Sequence, residues 1–116
     1  MAHVVVFAGE YDLACKQQFR DELARLRHHA DVVLDFIDVT YVDSTIVTEL
    51  LLLARDRVCA GLAPQKIVLS NNSGVRRVFD IVQLGKMIPL VNSFKAASHK
   101  RETEPVRHAF SGRLAG

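Results

Sequence analysis

Residues 32–61 read VVLDFIDVTYVDSTIVTELLLLARDRVCAG, and the spacing of their apolar positions changes partway along. Val32 to Phe36 is a nearly continuous apolar run, too short for a helix. It suits a strand buried on both faces, as in a parallel sheet covered by helices. Asp43 and Ser44 then open a helix that runs to about Ala60 and stops at Gly61. Asp and Ser are preferred N-caps, and Gly is a common stop. Helical spacing places Ile46, Val47, Leu50, Leu51, Ala54 and Val58 on one wide face, with Leu53 at its margin. Leu52 falls on the other side, among Thr45, Thr48, Glu49, Arg55 and Asp56.

The same change of period recurs on either side. His3–Phe7 is a β-branched run that stops at Ala8-Gly9, a strand entering a turn. From Ala14 to His29, Cys15, Phe19, Leu23 and Leu26 form the stripe of an amphipathic helix. Lys66–Leu69 is a strand. Ser73 or Gly74 starts a helix with Val75, Val78, Phe79 and Val82 inward, ending near Gly85. Met87–Val91 is a further strand, and Asn92 or Ser93 caps a short helix through about His99. This order, βαβαβαβα, predicts an α/β fold: a mainly parallel four-stranded sheet packed with four helices. Residues 1–100 form the domain, which fits the usual size of one domain. Residues 101–116 hold Pro105 and charges of both signs, and read as a polar, flexible tail.

Composition narrows the function classes. The 116 residues are 49% hydrophobic and 24% charged, with a formal net charge of +2. That balance is globular, and the charge is too small to argue for nucleic acid. No apolar run reaches the roughly 20 residues of a membrane span, and no secretory signal pattern opens the chain. Cys15 and Cys59 lie far apart and read as reduced thiols of a cytoplasmic protein. The five histidines show no metal-ligand spacing, so neither metal nor cofactor is expected. No phosphate loop, dinucleotide fingerprint or nucleophile elbow is present, and a catalytic constellation is missing. Glu10, Asp12, Asp38 and Asp43 gather near strand ends, but the strand at Lys66–Leu69 ends in Ser70-Asn71-Asn72, without the aspartate a phosphate receiver needs.

By itself, Asp43-Ser44 reads as a helix cap. Ser44 also reads as a phosphorylation site, because a helix N-terminus offers partial positive charge and free N–H groups. A phosphate there changes the sign of the surface without melting the helix.

A resemblance sharpens this. Gly9-Glu10-Tyr11-Asp12-Leu13 resembles the G-E-(L/I)-D-(L/V) opening of STAS domains, the family of bacterial anti-sigma factor antagonists. Val32–Phe36 followed by Val39–Thr45 is similar to the family's strand, loop and D-S-(S/T)-G-L segment. Val75–Asp80 is similar to its next helix, V-(K/R)-R-(V/L)-(F/L)-(D/E). The match runs from about His3 to His99. It implies a protein-binding domain rather than an enzyme. Its partners would be an anti-sigma factor that is a serine kinase and a phosphatase that resets the cycle. The implied phosphoacceptor is Ser44, flanked by Asp43 and Thr45, with Asp12 on the same rim.

The chain departs from the pattern where Ile46 and Thr48 replace two small residues. A branched side chain at Ile46 is expected to obstruct a kinase, which leaves open a STAS subunit without a switch, such as the small cytosolic partner of a lipid-transport ABC system. The family's N-terminal edge strand is expected to be missing, leaving His3–Phe7 as an exposed edge open to a second copy. Thr48 and Leu52, on the helix that bears Ser44, are expected to join the partner-binding surface.

Overall fold

The computed structural model describes residues 2–70 and 73–92, together with the backbone of 106–111. The described elements are β1 (His3–Tyr11), a 3-10 turn at Leu13–Cys15, α1 (Lys16–Ala24), β2 (Val32–Val42) and α2 (Ser44–Cys59), then β3 (Lys66–Val68), α3 (Gly74–Ile81), a 3-10 turn at Leu84–Lys86, β4 (Leu90–Val91) and β5 (Val106–Ser111). The strands form one sheet in the order β4-β3-β2-β1-β5, and every neighbouring pair is parallel.

From β1 to β4 each crossover steps one strand in the same direction. Right-handed crossovers that all step one way leave all their helices on one face. The core agrees. Phe19 and Leu23 of α1, Ile46 and Leu50 of α2, and Val75 and Phe79 of α3 share one cluster with Phe7, Leu34, Phe36 and Ile67. Phe7 stands at its centre, with ring centroids 5.0 Å from Phe36 and 5.4 Å from Phe19. The opposite face buries a smaller cluster, Ala2, Val4, Val33 and Val68. Val32 to Phe36 is therefore buried on both faces, as its nearly continuous apolar run predicts.

Several boundaries differ from the expectation. The first strand continues past Ala8-Gly9 to Tyr11. Its pairing with β2 slips between Val6 and Ala8 and again between Gly9 and Glu10. Gly9, at φ 93°, adopts the left-handed backbone that one such slip uses, so the turn signal marks a bulge. α1 is shorter than expected and ends at Ala24. The helix expected through His99 lies outside the described residues.

The open edge is also corrected. β5 pairs with β1 from His3↔Val106 to Ala8↔Ser111, within the stretch expected to be a tail. Among the described residues the sheet has five strands, and the edge expected to be free for a second copy is covered. β1 is a run of strong strand formers, and an extended segment satisfies its unpaired N–H and C=O groups.

The buried stripe of α2 is rotated from the expected one. Leu53 and Arg57 are buried, and Val58 is 56% exposed. α1 packs on that side of α2. Arg57, fully buried, donates from Nε to Ala63 O (2.9 Å), from Nη1 to Leu26 O (2.8 Å) and His29 O (2.6 Å), and from Nη2 to Ala30 O (3.2 Å). Burial pushes its pKa below the ordinary arginine value, while the Asp31 carboxylate acts the other way. Arg57 thus ties α2 to the connection that feeds β2.

Candidate functional site

The register of β1 on β2 brings Tyr11 opposite Val42, so both strands end together and deliver Asp12 and Asp43 to one rim. This is the carboxyl end of a parallel sheet, where α/β proteins place their binding sites. Asp43 is the N-cap of α2. Its Oδ1 accepts from the N–H of Thr45 (3.0 Å) and of Ile46 (3.2 Å). Its Oδ2 accepts from the N–H of Leu13 (3.0 Å), which fastens the turn after β1 to the start of α2. Asp12 caps that turn, its Oδ1 accepting from Ala14 N–H (3.0 Å). The Asp12 N–H donates to Cys15 Sγ (3.3 Å), and the Cys15 thiol donates back to Asp12 O at the same distance. One carboxylate therefore holds two loops, and the second stiffens one of them.

Ser44 is the first residue of α2 and is exposed. Its hydroxyl has no hydrogen-bond partner among the described residues. Thr45 is half-buried. Thr48 is exposed, and its Oγ1 donates to Ser44 O (3.0 Å). The free N–H groups expected at this helix start are not free: Asp43 occupies those of Thr45 and Ile46.

Ile46 is 0% exposed and belongs to the core. The expected obstruction is corrected, because the branched side chain points away from the rim. Of the two departures from the family pattern, only Thr48 faces solvent. Leu52 is half-buried and lines a groove of about 170 Å³ between α1 and α2. Two further apolar side chains are exposed near the rim: Leu13 (66%) and Tyr41 (49%). Neither stood out in the sequence. Leu13 had a signal, since it lies outside the Cys15, Phe19, Leu23, Leu26 stripe.

Glu49 was assigned to the polar side of α2, yet it is 5% exposed. Arg20 of α1 meets it with two bonds, Nε to Oε1 (3.0 Å) and Nη2 to Oε2 (2.8 Å). The hydrogen bond from Arg20 holds the Glu49 carboxyl below the usual carboxylate range, against the opposing effect of burial. A lowered folded-state pKa gives stability that is present above the unfolded value, about 4.3, and is lost as pH falls through the folded one. Glu49→Gln should therefore cost stability at pH 7 and progressively less below about pH 4. Urea melts of both proteins across pH 2.5–7 check this. A gap that stays constant over that range would refute it.

Among the described residues, no group of three or more His, Cys, Asp and Glu could hold a metal ion. No described helix is long and apolar enough to cross a membrane.

No family model matches this chain, and no curated protein matches it. Solved structures do. The anti-sigma factor antagonist SpoIIAA in its unphosphorylated form is 18% identical, with a TM-score of 0.61 over 87% of this chain and 92% of that one. The Bacillus cell fate determinant SpoIIAA in the phosphorylated form is 21% identical, with a TM-score of 0.56 over 81% and 87%. The STAS domain of the SulP transporter from Vibrio cholerae is 19% identical, with a TM-score of 0.54 over 82% and 77%. The class that these likenesses define is a fold: the α/β architecture of STAS domains and anti-sigma factor antagonists. The resemblance read from the sequence is met at that level.

Proposed function

We propose that this chain is a regulatory protein-binding module of the anti-sigma factor antagonist type, and that Ser44 is its phosphoacceptor. The observation that carries the reading is the exposed, unengaged hydroxyl of Ser44 at the first position of α2, on a rim built by Asp12 and Asp43. The partner is an anti-sigma factor with serine kinase activity, and a phosphatase reverses the modification. Asp12, Asp43, Ser44, Thr45, Thr48 and Leu52 form the contact surface, with Leu13 as an exposed apolar anchor.

The local geometry explains how a phosphate would act. Asp43 already fills two N–H groups at the helix start, so a phosphate on Ser44 cannot fold back onto them. It stands out from the rim beside a carboxylate, where it meets a docked partner and adds roughly −1.5 to −2 charge. Burying that charge against an unready surface is costly. The fold stays intact while the interface is lost.

Intact-mass measurement after incubation with ATP and a serine-kinase anti-sigma factor tests this. One phosphoryl group should be added to the wild type and none to Ser44→Ala. The modified protein should bind that kinase at least about tenfold more weakly, a change of ~1.4 kcal/mol. Leu52→Asp should weaken binding of the unmodified form. A wild type that binds but is never modified would leave a constitutive antagonist. Absence of both binding and modification would favour a STAS subunit without a switch.

A further inference from the structure

The residues along β1 facing β5 are His3-Val4-Val5-Val6-Phe7-Ala8. This run holds strong strand formers, no proline and no Lys, Arg, Asp or Glu. It has the composition of a segment that pairs with its own kind when its edge is bare. Natural sheet edges are protected by charge, proline or bulges, and from His3 to Val6 this strand has none of them; the first slip of its pairing with β2 follows Val6. The first acidic or basic side chain after His3 is that of Glu10. β5 differs. Val106–Ser111 contains Arg107, and Pro105 precedes it directly. The protective residues therefore lie on, or directly before in sequence, the strand that forms the outer edge. Among the described residues, β1 is the only strand that β5 adjoins.

We propose that β5 is a guard strand: it covers the β1 edge, and when it is detached that edge pairs antiparallel with β1 of a second copy. A closed pair of identical subunits has a two-fold axis, and two copies of one strand edge can hydrogen-bond across it only with the axis perpendicular to them, which makes them antiparallel. The β1–β5 pairing it would replace is parallel, the slightly weaker kind per residue. A bare β1 thus has a favourable partner in any other copy.

The test uses the full chain. Successive N–H groups of a strand point to opposite sides, so of positions 108 and 109 one N–H is directed at β1. The double variant His108→Pro/Ala109→Pro removes both and detaches β5. In sedimentation equilibrium the wild type should be monomeric and the double variant dimeric, with a folded circular dichroism spectrum. Adding Val6→Lys, which puts a charge at the middle of the bare edge, should return the double variant to a monomer. A folded, monomeric double variant overturns the proposal. So does an unfolded one, since β5 would then be integral to the fold. A dimer that Val6→Lys leaves intact overturns it as well, because the contact would lie elsewhere.

Discussion

Replacing Arg57 by methionine is expected to lower the stability of the fold by about 3–5 kcal/mol, because several buried carbonyls lose their donor at once. The guanidinium donates four hydrogen bonds to backbone carbonyls and has no carboxylate among those acceptors. Leu26, His29 and Ala30 lie just beyond the end of α1, outside its helical ladder, although Leu26 O also accepts a turn bond from His29 N–H (3.4 Å). A cation near a helix C-terminus also opposes the negative end of the dipole. Methionine fills much of the volume but leaves those oxygens facing an apolar side chain, at roughly 1–3 kcal/mol for each that water cannot reach. Total stability of such a domain is about 5–15 kcal/mol, so the loss is a large fraction of it. The melting temperature should fall by roughly 12 °C or more. Arg57→Lys keeps the charge, but an ammonium cannot span four acceptors, and it should recover less than half of the loss. Denaturant melts decide the matter: a midpoint for Arg57→Met within about 1 kcal/mol of wild type would exclude this role.

Arg57 also marks where the sequence was readable and where it was not. The strand at Val32–Phe36 and the helix from Ser44 were legible because each signal is local, a nearly continuous apolar run in one case and a cap and stop in the other. The rotation of α2 was not. Val58 fits the apolar stripe by type, and Arg57 does not. Which of the two is buried depends on carbonyls some thirty residues earlier, and no pattern within the helix contains that information. Glu49 is the same case, since its partner Arg20 sits on another helix. The edge strand was hidden for a different reason. Val106–Ser111 is a polar-looking hexamer whose strand character comes from β1. The rim was legible in its residues, because Asp12 and Asp43 are cap types at strand ends. Its wiring, with Asp43 spending both oxygens on backbone donors, needed the register of β1 on β2.

Asp43 offers the sharpest separation of helix capping from site geometry. Asp43→Ala should cost about 1–2 kcal/mol, the usual effect of removing a good N-cap. It also releases the Leu13 N–H, and with it the turn that carries Asp12. Asp43→Asn divides these effects. The remaining amide oxygen can still accept from the N–H groups of Thr45 and Ile46, and asparagine is as good a cap as aspartate. Its NH₂ group then replaces Oδ2, and a donor cannot accept from Leu13 N–H. Stability of Asp43→Asn should therefore stay within about 0.5 kcal/mol of wild type, while the turn comes loose. Backbone amide exchange reads the second effect directly. Leu13 should exchange at least tenfold faster in Asp43→Asn than in wild type, with the amides of Thr45 and Ile46 unchanged. If the rim is the binding surface, the proposed kinase partner should bind Asp43→Asn nearly as poorly as Asp43→Ala despite the preserved helix. An Asp43→Asn protein with a protected Leu13 amide would show that the tether is not made through Oδ2. One with a loosened turn and full binding would show that the partner docks away from this rim.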